Sequence, residues 1–158
     1  MKNALRNISL LALFAFAGLA QAASDSKAVI DGYMAAWNAH DAEKASAFFA
    51  EDGVYFDATV DTPQQGRAAA RDNVIQVFLT AVPDARWEMT SAPIVGTDGI
   101  AFQWKFSGTN SGAWGPETPA TDKPLSFEGV SFVRVKDGKI TYQGDYYDAL
   151  GFNKQLGW

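Results

Sequence analysis

Cysteine is absent from this chain of 158 residues. Disulfides, thiol catalysis and thiolate zinc or iron–sulfur sites are thereby excluded. Histidine occurs once, at His40, so a metal site built from several imidazoles is excluded too. Positive charge is scarce: 13 lysines and arginines stand against 18 aspartates and glutamates, a formal net charge of −5. Nucleic-acid binding draws most of its affinity from a basic face, so no nucleic-acid partner is expected. Internal repeats and long charge runs are lacking as well. What is there is ordinary globular material, 47% apolar and 20% charged, in a length that suits one domain.

The first 22 residues read as a secretory signal. Lys2 and Arg6 form a positive start, Ile8 to Ala20 an apolar stretch, and Ala20-Gln21-Ala22 a small-residue cleavage site. That stretch is short of the ~20 residues a spanning helix needs. The expectation is therefore a secreted or periplasmic protein with no membrane partner after cleavage, comprising residues 23–158 as a single domain. Loss of Lys2 and Arg6 makes its net charge two units more negative. Disulfides are permitted in that compartment, yet none can form, so the core alone must hold the fold.

Helical patterns come first. Ser24 or Ser26 can cap a helix to about Asn38, with Val29, Ile30, Tyr33, Met34 and Trp37 as its apolar stripe. Asn38 to Asp41 reads as a hinge, and Asp41 as the cap of a short helix from Ala42 to Ala50. Asp52-Gly53 then leads into a strand, Val54 to Ala58. A third helix runs from Arg67 to about Ala81, with Pro83 beyond its end. From there the pattern is β. Arg86 to Ala92 is a strand, and Gly99 to Ser107 alternates with Ile100, Phe102, Trp104 and Phe106 on one face. Gly108 to Lys123 reads as a long loop, either a lid or a plain connection. Leu125 to Lys136 and Lys139 to Tyr147 flank an Asp137-Gly138 hairpin turn. Asp148 caps a last helix, Ala149 to Leu156. Helices followed by antiparallel strands give an α+β class, a curved sheet wrapped around three N-terminal helices with a short C-terminal helix.

Several motifs carry a resemblance. Tyr33-x3-Trp37-Asn38-x2-Asp41 and Phe49-x2-Asp52 open the domain. Gly108-Thr109-Asn110-Ser111-Gly112, Lys123, Glu128-Gly129, Asp137-Gly138-Lys139-Ile140 and Gln155-Leu156-Gly157 follow in order. This series resembles the SnoaL-like polyketide cyclase, or ester cyclase, branch of the nuclear-transport-factor-2-like superfamily. The resemblance implies a cone-shaped barrel and an apolar cavity for a small molecule. Its further implications are cofactor-free acid–base chemistry and pairing into homodimers. Two positions depart from the branch pattern: its G-T-H histidine is Asn110 here, and its H-W-D is Gln143-Gly144-Asp145.

Chemistry of this kind needs a carboxylate whose pKa is lifted by burial toward neutrality. Two candidates stand out. Asp57 ends the first strand; Tyr33, Asp41 and Asp57 have the spacing of ketosteroid isomerases, which implies Asp57 as proton-shuttling base and Tyr33 as hydrogen-bond donor. Asp57 also reads as the cap of the turn toward Asp61-Thr62-Pro63. The second acidic donor of those isomerases would fall near Val130, with Glu128 the closest acid. Asp145 lies within the last strand and matches the surviving acid of H-W-D, which implies a general acid/base. It stands on the same strand face as Gln143 and Tyr147, which is either the cavity side or the wet side. The ligand contacts are expected from Trp37, His40, Phe56, Trp104, Asn110, Glu128 and Gln143. His40 reads equally as a turn residue, and the aromatics as core. Catalysis and a non-catalytic binding or dimeric interaction module both remain open at this point.

Overall fold

The structure is a computed structural model that describes residues 25–59, 61–97 and 99–158. The expected export signal lies outside the described residues. The first described element is helix α1, residues 25–38. It buries Ile30, Tyr33, Met34 and Trp37 and turns Asp31 to solvent, where Lys27 pairs with it at 2.6 Å. Its end is fastened to the sheet by Asn38. That amide donates to Trp87 O and accepts from Trp87 N, each at 2.8 Å. His40 follows with φ 57, so the expected hinge is a left-handed turn.

Helix α2 is Ala42–Ser46, capped by Asp41 accepting from Lys44 N at 2.8 Å. It is shorter than the expected Ala42 to Ala50, because the sheet captures the chain early. Ile140 N donates to Phe48 O at 2.8 Å, and strand β1 runs Phe49–Asp57. Phe49 then stacks on Tyr55 at 5.7 Å inside the core. A short β2 (Gln64–Gln65) precedes one helical run in three pieces. These are α3 (Arg67–Ala70), a π-helical stretch (Arg71–Ile75) and α4 (Gln76–Ala81). The strands β3 (Arg86–Met89), β4 (Ile94–Val95), β5 (Ile100–Thr109), β6 (Pro124–Lys136) and β7 (Lys139–Tyr147) follow, then α5 (Ala149–Leu156). The predicted strand from Arg86 to Ala92 is thus shorter and ends at Met89, and β4 lies outside that range, just after Pro93. Asp137 and Gly138 turn the β6–β7 hairpin with φ 51 and 71, the left-handed pair that matches strand twist. Asp148 caps α5 at Gly151 N, 2.9 Å.

All seven strands form one sheet in the order β2-β1-β7-β6-β5-β3, with β4 also on β5. The pairing is antiparallel except for β1 with β7, which run parallel. The class is the expected α+β, with a curved sheet and helices. The expected barrel is not closed: β2 and β3 stand at opposite edges of the sheet order. The helices lie on one face and bury the inward set of every long strand. That set includes Tyr55, Phe102, Trp104, Phe106, Phe127 and Gln143. No helix among the described residues is long and apolar enough to cross a membrane.

Candidate functional site

The two carboxylates singled out from sequence meet in the core. Asp57 ends β1 and Asp145 lies in β7, and the parallel register makes them direct partners. Strand alternation turns both inward, where they are 3% and 4% exposed. Ser131 is the partner of Asp145 on the other side, across the β6–β7 ladder.

Asp145 is held by four donor contacts. Tyr55 Oη donates to Oδ2 at 2.7 Å and Ser131 Oγ to Oδ1 at 2.6 Å. Gln143 Nε2 spans both oxygens, at 3.1 and 3.0 Å. The direction of the Ser131 bond is set from behind, because Trp104 Nε1 donates to Ser131 Oγ at 2.8 Å. Trp104 reaches that position because residue 129 is glycine. A Cβ there would lie 2.4 Å from the indole ring. Donors of this kind favour an ionised carboxylate. Burial wins nevertheless, and with a smaller push from Asp57 it lifts Asp145 to about 7. The same burial, with the negative charge of Asp145 next to it, raises the Tyr55 hydroxyl well above its ordinary value. Tyr55 is thereby kept as a donor.

Asp57 makes the turn that its position suggested. It accepts from Thr59 N at 2.8 Å and from Thr59 Oγ1, and its backbone carbonyl takes Asp61 N at 3.0 Å, which makes the turn. Its carboxylate also takes the Tyr147 hydroxyl, at 3.0 and 3.2 Å. Both acids border a narrow cavity, together with Tyr55, Tyr147, Trp37, Trp87 and Trp104. Phe78, Phe106 and Phe127 close it. Its volume is about 20 Å³, room for a single water. Phe78 in turn carries Trp114 of the 110–123 loop at 5.1 Å, and Trp114 packs on Phe152 at 5.5 Å. The loop therefore rests on the aromatic end of the cone.

The other expected contacts are distributed unevenly. Trp37 and Trp104 border the cavity. Tyr33 and Gln143 are fully buried behind it. Four residues stand elsewhere. Phe56 alternates out of phase with Tyr55 and Asp57 and packs at a tilt against Tyr146, ring centroids 5.7 Å apart. Glu128 is exposed, because Phe127 and Gly129 take the inward phase of β6. His40 is exposed in its turn, with Nε2 2.9 Å from Ala85 O. Asn110 is buried but fully engaged by the loop and by α4. Its Nδ2 donates to Ala81 O and Gly112 O at 2.9 and 2.8 Å, and its Oδ1 accepts from Thr121 N and Oγ1 at 3.0 and 2.9 Å. It is a strut of the loop. Sequence reasoning did not single out Tyr55 or Ser131, and it named Tyr147 only as sharing a strand face with Asp145. The period of two was the available signal, since Tyr55 and Tyr147 lie two residues from Asp57 and Asp145.

A curved α+β sheet with a buried carboxylate at its centre defines the class of protein. Residues 30–143 match the SnoaL-like domain model, and the chain belongs to that family. Solved structures agree in fold. One is described as a SnoaL-like polyketide cyclase from Jannaschia sp. CCS1. It has a TM-score of 0.73 and 11% identity, over 84% of this chain and 92% of that one. A Catenulispora acidiphila protein with a ketosteroid isomerase-like fold, solved with trimethylamine, gives 0.68 and 20% over 82% and 92%. TerC, crystallised with polyporic acid, gives 0.69 and 15% over 85% and 99%. At these identities the likeness is one of fold. No protein of curated function matches the sequence.

Proposed function

We propose that this SnoaL-like protein is an exported acid–base catalyst that works without a cofactor on a small, mostly apolar molecule. The reaction class is cyclisation, isomerisation or hydration, with Asp145 moving the proton. The single observation that carries this is Asp145 itself: a carboxyl lifted to about 7, bordering a cavity in an aromatic core. Near neutral pH such a group both gives and takes a proton, which suits general acid–base work. Tyr55 would hold the carboxylate as it ionises, and the Asp57–Tyr147 pair would face the substrate from the next strand. Tyr33, fully buried, would act through its hydroxyl. The ligands bound by the Catenulispora protein and TerC support small-molecule binding in this fold. A ring compound needs more space than the cavity now offers, so Phe78 or its neighbours must move aside on entry. The amino-terminal 22 residues, with their positive start, apolar stretch and Ala-x-Ala, support export to a periplasm or beyond.

The experiment is proton exchange in D₂O with small ring ketones and lactones, followed by NMR. The wild-type protein is expected to accelerate exchange of the α-protons, and Asp145→Asn to lose the acceleration. Binding without exchange in both would replace catalysis by a binding role.

A second reading draws on the outer face of the sheet. Phe132 is 54% exposed there and packs edge-on against Tyr146 at 5.9 Å, which in turn meets Phe56. An aromatic cluster of this kind on a sheet face suits pairing of two copies into a homodimer. The narrowness of the cavity favours such an interaction module over an enzyme.

A further inference from the structure

Trp104 and Gly129 are direct partners across the β5–β6 pair, and Ser131, two residues further along β6, is the partner of Asp145. With no side chain at position 129, the indole lies over that place and reaches its diagonal neighbour. There Nε1 donates to Ser131 Oγ at 2.8 Å, and Ser131 donates on to Asp145 Oδ1 at 2.6 Å. This chain of bonds has one direction. An indole N–H only donates. The hydroxyl that accepts from it keeps one proton to give, and among the described residues Oδ1 is the acceptor it has. Ser131 is fully buried and is not among the residues that border the cavity, so the cavity offers that proton no substitute.

The two oxygens of Asp145 are therefore unlike. A proton on Oδ1 would meet the Ser131 proton head on, and turning the serine aside would leave a buried O–H unpaired, which is costly. Oδ2 faces Tyr55, which borders the cavity. Tyr55 can turn its O–H toward the cavity and accept from Oδ2 instead. Gln143 Nε2 reaches both oxygens at nearly equal distance and does not distinguish them. The other titratable groups that face Asp145 are Asp57 and Tyr55 of β1, Tyr147 of its own strand and Tyr33 of α1. Among the described residues, Oδ1 takes hydrogen bonds from Ser131 and Gln143 and from none of these.

We propose that Trp104 and Ser131 are positioning residues that keep Oδ1 an acceptor in both protonation states, so that Asp145 carries and exchanges its proton through Oδ2. This rests on the reading of Asp145 as the proton-transferring group. As the proton passes to the substrate the Oδ2–H bond breaks, and Oδ2 later takes a proton back. Ser131 holds its own proton throughout.

The test reads the protonated carboxyl without a substrate. With aspartate labelled at the side-chain carboxyl carbon, the C=O stretch of Asp145 is the infrared band at pH 5 that Asp145→Asn lacks. A proton on Oδ2 makes the carbonyl C=Oδ1, the oxygen bonded to Ser131. Ser131→Ala is therefore expected to move the band to higher wavenumber, and Tyr55→Phe to leave it nearly in place. No shift in Ser131→Ala, or a larger one in Tyr55→Phe, would overturn the assignment. Absence of the band from the wild-type protein would overturn it together with the reading of Asp145 as a proton carrier. Carbon-13 NMR of the same label tests Trp104. Ser131→Ala is expected to titrate about one pH unit higher at Asp145, because a donor to the charged form is lost. Ser131→Thr, which keeps a hydroxyl, is expected to titrate as wild type. Trp104→Phe also thins the cover of Asp145, so its effect is measured with and without Ser131. The titration is expected to move further upward when Ser131 is present, and equal effects in the two backgrounds would overturn the role of Trp104. The infrared comparison of Ser131→Ala with wild type decides the assignment even where Trp104→Phe does not fold. Loss of the proposed proton exchange with this comparison intact would remove the catalytic reading alone.

Discussion

Asp57 and Asp145 are direct partners across the parallel β1–β7 pair, and both turn inward. Two carboxylates at adjacent strand positions cannot both be ionised cheaply in an apolar core. Asp57 accepts from Thr59 N and Thr59 Oγ1 of its own turn and from Tyr147 Oη at the end of β7. At Asp145 burial outweighs the hydrogen bonds and lifts the carboxyl to about 7.

The raised value of Asp145 has a consequence for stability. In the unfolded chain an aspartate titrates near ~3.9. Below that pH both states are protonated and the group costs nothing. Between about 4 and 7 the unfolded state loses its proton while the folded state keeps it, so stability falls as pH rises. Above 7 the loss is complete, roughly 4 kcal/mol for a shift of this size. Asp145→Asn removes the titration. Its melting temperature is expected to match wild type near pH 4 and to exceed it at pH 8, by thermal denaturation across that range. A variant that melts lower at pH 8 would show that the carboxylate is a structural strut.

Tyr55→Phe deletes the 2.7 Å donor to Asp145 Oδ2. That bond favours the ionised form, so Asp145 is expected to titrate higher still. The cost is expected to depend on pH: about 2 kcal/mol above the titration, where the acceptor is charged, and less below it. Carbon-13 NMR of the labelled aspartate carboxyls, with denaturation at pH 5 and pH 9, reads both. An unchanged titration would mean that Tyr55 does not hold the carboxylate.

Much of this was legible in the sequence where the information is local. The alternation of Ile100, Phe102, Trp104 and Phe106 gives the inward face of β5, and Asp137-Gly138 gives the hairpin and hence the β6–β7 register. Alternation also places Asp145 with Gln143 and Tyr147. The same rule should have set Phe56 outside, since it cannot share a face with Asp57. What escaped is non-local. Parallel pairing of β1 with β7 joins segments far apart in the chain, and no turn between them announces it. Helix α2 ends earlier than its pattern suggests because Phe48 and Phe49 suit a helix face as well as a strand. The bond from Ile140 to Phe48 O, which decides it, comes from the far end of the chain. Asn110 takes the place of a histidine in a family motif, which suggests a ligand contact, whereas its amide is spent on the backbone of Ala81, Gly112 and Thr121 and on the Thr121 hydroxyl.

Asn110 therefore has a sharp expected phenotype. Its side chain satisfies two carbonyls and two donors that tie the end of β5 to α4 and to the 110–123 loop. Asn110→Ala leaves those groups unpaired in a buried place. The expected loss is about 3 kcal/mol in urea denaturation. Binding of small ring ketones by the fraction that remains folded is expected to be unchanged. A variant of normal stability with lost binding would return Asn110 to the ligand site.

The outer face makes the last prediction. Phe132 and Tyr146 pack on each other on the side of the sheet that faces away from the helices. Phe132 is more than half exposed, so a charge placed there costs the isolated chain little. In a dimer closed through this face, the two-fold axis would bring each copy's position 132 close to the other copy, and an added carboxylate would be desolvated near its own mate. Phe132→Glu is then expected to sediment as a monomer with wild-type melting behaviour at low concentration, while wild type sediments as a dimer in the micromolar range. A wild-type protein that stays monomeric at those concentrations would remove the pairing, and with it the reading of this fold as an interaction module. The carboxylate at the centre of the cone would then be the feature left to explain what the protein does.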